Sequence, residues 1–331
     1  MEKRINLFIT EQGARLKVNG QRLFVQNEKE TFTDIPLIHL RQIVIFGNAT
    51  ITPSAVSRLL TEGIFVSFLT MNGRFIGILL PPEHSDGMII KMQVKRSEDE
   101  LFRLTLAKEI VSAKIHNSLA LLLKKRRKKV DTEKEIAELK RVEDTIQEAT
   151  SIKELLGLEG TASRVYFSVM NRIFDSEFPF DGRKKHPATD PLNAMLSFSY
   201  TLLYSICFSF LHVVGLDPYI GFYHEMRKGH ASLASDLSEE FRSYICDSLV
   251  LRLVNQKYFD KDAFTYTGES VFFTKEAMKL FLKEWATNLD RIVNVDGSFN
   301  TSLWHLIELQ AQNLRKSVLT GEKYSAFRSG E

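Results

Sequence analysis

From Pro191 to Leu216 the chain runs without a single Lys, Arg, Asp or Glu. A segment of that length and apolarity could cross a bilayer; in water it must be covered by protein on every face. It also carries Asn193, Ser197, Ser199, Tyr200, Thr201, Tyr204, Ser205, Ser209 and His212, and no basic residues closely flank either end. That pattern suits a helix buried among other helices better than one that faces lipid, and no membrane association is expected.

The sequence around it supplies the helices such a core needs. Helical periodicity predicts Met92–Leu123, Thr132–Thr150, Ile152–Phe174, Pro191–Val214, Ser235–Asn255, Thr274–Asp290 and Ser302–Leu319. Residues 175–190, with Pro179, Gly182 and Pro187, read as a long loop, and Phe259–Phe273 has room for a short strand or hairpin. The first 80 or so residues behave differently. Short apolar runs at Asn6–Thr10, Arg15–Val18, Arg22–Gln26, Gln42–Phe46, Ile64–Leu69 and Arg74–Leu79 read as strands, several bounded by turn formers such as Asn19-Gly20 and Asn72-Gly73. Thr52-Pro53-Ser54 opens a short helix to Leu60. Pro81-Pro82 and Ser85-Asp86-Gly87 break the pattern. At 331 residues the chain exceeds the usual reach of one hydrophobic core. The expectation is an α+β multidomain protein, with a small β-rich domain over 1–86 and a larger all-α domain over 87–331.

Charge sets limits on partners. The net charge is only +3, so overall charge does not announce a nucleic-acid binder and any such signal must come from clustering. Lys124–Lys129 is a run of cations at an expected helix end, where it either is simply solvated or meets a partner. Arg183-Lys184-Lys185-His186, in the Pro-containing loop, is the better candidate for a flexible strap on a phosphate backbone, and Arg164 and Arg242 are further candidate phosphate contacts. Tyr166, Tyr200, Tyr204, Tyr219 and Tyr223 follow helical or turn spacing and read as core before base-stacking platforms. Cys207 and Cys246 sit in apolar helical contexts and suit neither a disulfide framework nor a zinc knuckle. With no signal-peptide core in MEKRINLFITEQG, a cytoplasmic protein is expected.

Three dense local patterns carry the candidate chemistry: GLEGTASRVYF at 157–167, GLDPYIGFYHE at 215–225 and SLASDLSEEFR at 232–242. If the fold gathers Glu159, His224 and Glu239, two carboxylates and an imidazole make a pocket for a hard divalent cation, Mg²⁺ or, with the imidazole, Mn²⁺. Such an ion suits phosphodiester chemistry. Each residue also has a plain structural reading. Glu159 is one of many surface acids, and His224 follows a packed aromatic run where a structural histidine fits equally well. Asp236 and Glu239, three apart at an expected helix start, match a capping box. A capping Glu folds back onto its own helix; a ligand points across to Glu159 and His224. His212, His230 and His305 lack a partner pattern and read as structural or surface residues.

The chain resembles the CRISPR-associated integrase and endonuclease of the spacer-acquisition machinery, the first-numbered Cas protein family. The match is most specific in LLGLEGTASRVYF, in HPATDPLNAMLSFSYTLL at 186–203 and in GLDPYIGFYHEMRKGHASLASDLSEEFR. The resemblance implies an N-terminal β domain that dimerises and a helical domain that holds the metal. It places Glu159, His224 and Glu239 on the family's metal ligands, Asp236 on a nearby acidic position of less certain role, and Asn193 and Ser197 on the motif after the loop. It further implies metal-dependent cleavage and joining of DNA, in which the 3′-hydroxyl of a captured fragment attacks a phosphodiester at the edge of a CRISPR repeat, and assembly with a dimer of the small second-numbered member. Ser118 stands where the family usually has glutamine and His230 where arginine is frequent, departures that touch DNA contact and not the ligands. The rival readings are a non-catalytic DNA-binding scaffold, whose acids merely cap helices, and a repair nuclease acting on branched DNA.

Overall fold

The computed structural model describes residues 4–81, 86–125, 131–174, 177–184, 187–295 and 299–330. Arg126–Lys129 of the long basic run and the Lys185-His186 end of the loop cluster lie outside these residues. The chain forms two compact units, one of Met1–Ser85 with Lys275–Ala286, the other of Asp86–Thr274 with Thr287–Glu331.

The first unit contains strands β1 (Ile5–Ile9), β2 (Ala14–Asn19), β3 (Arg22–Gln26), β4 (Thr31–Pro36), β5 (Leu40–Phe46), β6 (Ala49–Ile51), β7 (Phe65–Leu69) and β8 (Phe75–Leu79), with helix α1 (Pro53–Thr61) between β6 and β7. They build two four-stranded sheets, ordered β1-β5-β7-β8 and β4-β3-β2-β6. In the first, β1, β5 and β7 run parallel, which explains why Leu40–Phe46 and Phe65–Leu69 are nearly continuous apolar runs and not alternating ones. Besides the partly exposed Arg41, the polar exceptions are Gln42 and Ser67, which are buried side by side and satisfy each other through Gln42 Nε2 to Ser67 Oγ at 3.0 Å. Leu16, Leu23, Val25, Leu40, Ile43, Leu59 and Val66 contribute to one core shared by both sheets and α1. Strands β4 and β6 escape the periodicity reading because β4, TFTDIP, is a polar edge ending in Pro and β6 has only three residues.

The second unit is mostly helical: α2 (Gly87–Glu98), α3 (Glu100–Lys125), α4 (Glu133–Thr145), α5 (Ile152–Ile173), α6 (Pro191–Val213), α7 (Ser232–Phe241), a π-helical stretch over Arg242–Asp247, α8 (Ser248–Asn255) and α10 (Leu303–Thr320). Helix α9 (Lys275–Leu289) has most of its length grouped with the β-rich residues. The hairpin of β9 (Phe264–Thr267) with β10 (Ser270–Phe273) falls in the segment expected to hold one, and a second, β11 (Ile292–Val295) with β12 (Phe299–Ser302), makes this unit mostly helical and not all-α. The expected helix Met92–Leu123 is two helices. Asp99 is extended, and its carboxylate accepts the Phe102 N–H at 3.0 Å, so the acid that interrupts one helix starts the next.

Helix α6 is the charge-free segment. It is long and apolar enough to cross a bilayer, and 78% of its most apolar window is buried inside the protein. It packs against α7 and α10, with the Phe210 and Trp304 rings edge to face at 5.1 Å. The tail after α10 has no regular structure, yet Tyr324, Ala326 and Phe327 are buried. Asn117, in the middle of α3, holds it: Nδ2 donates to the carbonyls of Glu240 and Phe327, at 2.7 and 2.9 Å, while Oδ1 accepts the Ser329 N–H at 2.7 Å. Replacing Asn117 by Ala strands three buried backbone groups, and a loss of about 2–4 kcal/mol in unfolding free energy is expected, read by urea denaturation.

Candidate metal centre

Each candidate residue sits on an element held from behind by packing. Glu159 lies on α5, in the run GLEGT. His224 lies in the connection from α6 to α7. That connection is pinned by Gln93 of α2, whose amide donates to the carbonyls of Asp217 and Ile220, each at 2.8 Å, and accepts the Asp217 N–H at 2.8 Å. Gly221 packs so closely on Ser232 that a Cβ there would lie 2.7 Å from its side chain, so only glycine lets the loop approach α7.

Helix α7 begins at Ser232 after an extended Ala231, so Asp236 and Glu239 are interior and cap nothing. The capping-box reading is corrected on this point. Asp236 turns outward to the loop instead. Its Oδ2 accepts the N–H groups of Phe222 and Tyr223 at 2.7 and 3.0 Å, and its Oδ1 accepts the N–H of His224 at 2.8 Å and the His224 ring Nδ1 at 2.7 Å. A carboxylate can only accept there, so Nδ1 carries the proton and Nε2 is turned the other way, 3.6 Å from Glu239 Oε1. A carboxylate behind an imidazole is the arrangement that orients metal-ligating histidines.

Glu159 and Glu239 approach the same point from α5 and α7. Tyr223 donates its hydroxyl to Glu159 Oε2 at 2.6 Å, and Arg242 meets Glu239 Oε1 at 2.7 Å. The other oxygen of each carboxylate faces Lys114 of α3: Nζ is hydrogen-bonded to Glu159 Oε1 and lies 2.8 Å from Glu239 Oε2. That second contact is a largely buried ion pair, so one ammonium serves both glutamates. Glu159 and Glu239 thus share the cations Lys114 and Arg242, while Asp236 faces the His224 ring.

The protonation behaviour follows from this packing. Burial pushes the Glu239 carboxyl upward, but Arg242, Lys114 and His224 outweigh it and bring it down to about 2. Glu159 is lowered in the same way: burial raises it, and Lys114 more than compensates. For His224 burial disfavours the charged ring, while Asp236 and then Glu239 raise its pKa above the ordinary value. Beside the centre opens a cavity of about 500 Å³ whose lining includes Lys114, Glu159, Arg164, Tyr166, Arg183, Tyr200, Arg242 and Asp247. The π-helical stretch sets both of its ends, Arg242 and Asp247, on this cavity. The Asp247 carboxylate accepts the hydroxyls of Tyr200 and Tyr166 at 2.6 and 2.8 Å, and its burial raises its pKa to about 6.

The loop cluster differs from its expected form. Arg183 is anchored, donating to Asn193 Oδ1 at 2.8 Å and Ser197 Oγ at 3.0 Å and resting over the Tyr200 ring, so it is no flexible strap. Lys184 is half exposed and reaches Asp181. Arg242, expected as a free phosphate contact, is committed to Glu239 and also lies over Tyr200. The sequence reading did not single out Lys114, Tyr223 or Asp247 for the site. One signal for Lys114 was present: Lys114, Asn117 and Ser118 interrupt a helix otherwise lined by Ile110, Val111, Ala113, Ile115 and Leu119, and polar groups buried on such a face need partners. His230, read as structural or surface, has its ring 6.2 Å from that of His224.

Among the described residues no three His, Cys, Asp or Glu side chains converge as a ready-made metal site. Lys114 lies between the two glutamates. The donor set still fits a divalent ion, because two carboxylates each turn one oxygen to the point where a cation, Lys114 Nζ, already sits, and Asp236 orients the nearby imidazole.

A family model described as CRISPR associated protein Cas1 matches residues 7–287. The chain belongs to the Cas1 family. It is 30% identical over 321 residues to the CRISPR-associated endonuclease Cas1 of Mycobacterium tuberculosis, covering 96% of this chain and 95% of that protein. Among solved structures, a Cas1 protein from Thermotoga maritima superposes with a TM-score of 0.83 at 26% identity, over 98% of this chain and 100% of the other. A casposase bound to integration product gives 0.81 at 25% identity, over 97% and 92%. A chain of a Cas6-RT-Cas1–Cas2 complex shares the fold, with a TM-score of 0.85 at 24% identity over all of this chain and 37% of the other. The α+β architecture, a β-rich module followed by a mostly helical one, is thus that of Cas1 proteins.

The two shifted groups imply opposite pH limits. A histidine with a raised folded pKa contributes stability that is complete below its unfolded value near 6.5 and is lost as pH rises through the folded value. Glu239 contributes stability that is complete above 4.5 and is lost as pH falls towards about 2. The Asp236→Asn variant is expected to lower the His224 midpoint, followed by NMR of the imidazole, and to remove the stability loss above pH 6.5. An unchanged midpoint would show that Asp236 does not hold the ring.

Proposed function

We propose that this Cas1-family chain is a divalent-metal-dependent DNA endonuclease and integrase of CRISPR immunity, joining the 3′-hydroxyl ends of captured DNA fragments to the CRISPR repeat. The observation that carries the reading is that Glu159 and Glu239, from two separate helices, turn one carboxylate oxygen each to a single largely buried cation, Lys114, with the His224 ring 3.6 Å from Glu239, beside a cation-lined cavity. The family membership and the likeness to a casposase caught with its integration product support the joining reaction over simple hydrolysis.

Glu159, His224 and Glu239 would hold Mg²⁺ or Mn²⁺, and Asp236 acts behind His224 as its positioning residue. Bound there, the ion would polarise a phosphoryl oxygen, lower the pKa of the attacking hydroxyl and stabilise the leaving oxygen. The protein's own groups perform the rest. Burial and the Glu159 carboxylate raise the Tyr223 phenol, so it stays protonated and fixes the direction of Glu159. Arg164 and Arg183 line the cavity where a phosphate backbone would enter, and Arg242 steadies Glu239. Lys184 and, in the same loop, Lys185 are proposed to extend this contact. In integration, the fragment's 3′-oxygen forms a bond to phosphorus, the bond from phosphorus to the repeat's own 3′-oxygen breaks, the proton of the attacking hydroxyl passes to solvent, and the leaving 3′-oxygen takes one proton from solvent. One phosphodiester replaces another, so no external energy source is required; with water as nucleophile the same exchange is cleavage.

Dimerisation through the β-rich unit, assembly with Cas2 and a cytoplasmic location complete the proposal. The Cas2 partnership draws support from the solved Cas6-RT-Cas1–Cas2 complex that shares this fold. Helix α6 is taken as a core helix and not a bilayer span.

Glu159→Gln, His224→Ala and Glu239→Gln are each expected to lower cleavage and strand joining by about 10²–10³-fold or more, the scale seen when one transition-state contact is removed. The measurement is transfer of a labelled 3′-hydroxyl DNA fragment into a repeat-bearing plasmid, with DNA binding followed in parallel. Retained joining in all three variants would remove Glu159, His224 and Glu239 as the catalytic site, and DNA binding by the unmodified protein without cleavage or joining would establish the scaffold reading. Cleavage of branched DNA by the unmodified protein without any joining would establish the repair-nuclease reading.

A further inference from the structure

We propose that Lys114 is the place-holder of the cation site, an internal ammonium that competes with the divalent ion for the same two carboxylate oxygens; the inference rests on reading Glu159, His224 and Glu239 as a metal centre. Each glutamate has one oxygen fixed by another side chain, Glu159 Oε2 by the Tyr223 hydroxyl and Glu239 Oε1 by Arg242. Each turns its second oxygen to Lys114 Nζ. The two oxygens that Lys114 gathers are therefore the ones left for a cation, and two positive charges cannot share them at contact distance.

The character of the contact favours exchange. Lys114 hydrogen-bonds to Glu159 Oε1 and pairs with Glu239 Oε2 at 2.8 Å, so one ammonium holds both oxygens and its departure frees both at once. A lysine suits this task where an arginine would not. Its charge is compact and sits on a flexible four-carbon stem, whereas a guanidinium would grip both carboxylates in a planar fork. The ammonium also has somewhere to go, because Lys114 lines the adjoining cavity of about 500 Å³. From Glu159 and Glu239 it would swing towards the region where DNA phosphates are proposed to lie, and there it would act as one more phosphate contact. The pair Glu159 and Glu239 would then never face each other without a neutralising partner, since one cation arrives as the other leaves.

The consequence is that ion affinity is set partly by the cost of displacing Lys114. Mn²⁺ binding to the full chain, measured by the EPR signal of free Mn²⁺, tests this on wild type, Lys114→Met, Lys114→Arg and Glu239→Gln. Removing the competitor is expected to tighten Mn²⁺ binding by at least about tenfold, within the usual range of coupling between ligands. The Lys114→Met protein should also melt at a lower temperature without Mn²⁺ and gain more from its addition than wild type does. Lys114→Arg, which keeps the charge and tightens the grip, is expected to bind Mn²⁺ more weakly than wild type. Binding in wild type that Glu239→Gln abolishes, but that Lys114→Met leaves equal or weaker, would overturn the place-holder and keep the metal centre. If Lys114→Met does not fold, equal or tighter binding in Lys114→Arg overturns it instead. No Mn²⁺ binding in folded wild type or folded Lys114→Met would remove the metal centre itself, and the place-holder with it.

Discussion

Helix α7 is buried along its whole length and carries three carboxylates, and the organisation of the helical unit follows from what those acids require. Moving an ionised carboxylate out of water without partners costs several kcal/mol or more, so each must meet donors or cations or else give up its charge. Asp236 meets the backbone of the Phe222–His224 loop and the His224 ring. Glu239 meets Lys114 and Arg242. Glu240 meets the Tyr324 hydroxyl at 2.5 Å and the Phe327 N–H, and its burial lifts its pKa to about 8, so it is held largely as the neutral acid. One helix thereby draws together a loop, a helix partner and the C-terminal tail.

This distribution separates function from support. Two faces of α7 are served by groups that hold the fold: the loop is shaped around Asp236, and the tail is clasped by Glu240 and by Asn117 one turn beyond Lys114. Of the three acids on this helix, Glu239 is the one that shares Lys114 with Glu159. The cavity wall continues the same economy of charge. Asp247 is buried against two tyrosine hydroxyls, and the Arg183 and Arg242 guanidinium groups lie over the Tyr200 ring, at 5.2 and 5.1 Å from its centroid. Cationic side chains are thus held rigidly beside the centre, in keeping with a net charge of only +3 for the whole chain.

The parts legible in the sequence were those whose signal is local. Helix α6 is legible because no charge interrupts it, α5 because its apolar residues keep helical spacing, and β5 and β7 because they are short, mostly apolar runs. What escaped was set by distant partners. Strand β4 is defined by pairing with β3 and not by its own polar sequence. The helix break at Asp99 depends on one side chain accepting a backbone N–H. Asp236 and Glu239 matched a capping box by spacing, yet the helix had already begun at Ser232, because the close packing of Gly221 on Ser232 brings the chain into α7 a turn earlier. Arg183 looked mobile in a loop of Pro and Gly but is fixed by Asn193 and Ser197, which lie at the start of the next helix.

The sequence by itself determined the division into a β-rich and a helical part, the buried central helix, and the three motifs that hold Glu159, His224 and Glu239, since each is a matter of residue type and short-range spacing. Only the tertiary structure decided which of those residues meet. It placed Asp236 behind His224 as its support, set Tyr223 on Glu159, and put Lys114, 45 positions from Glu159 along the chain, between the two glutamates. The reason is that a buried charge finds its partner through space: the need for a counter-charge is written in the composition of α7, but its identity is settled only when α3, α5 and the loop close around it.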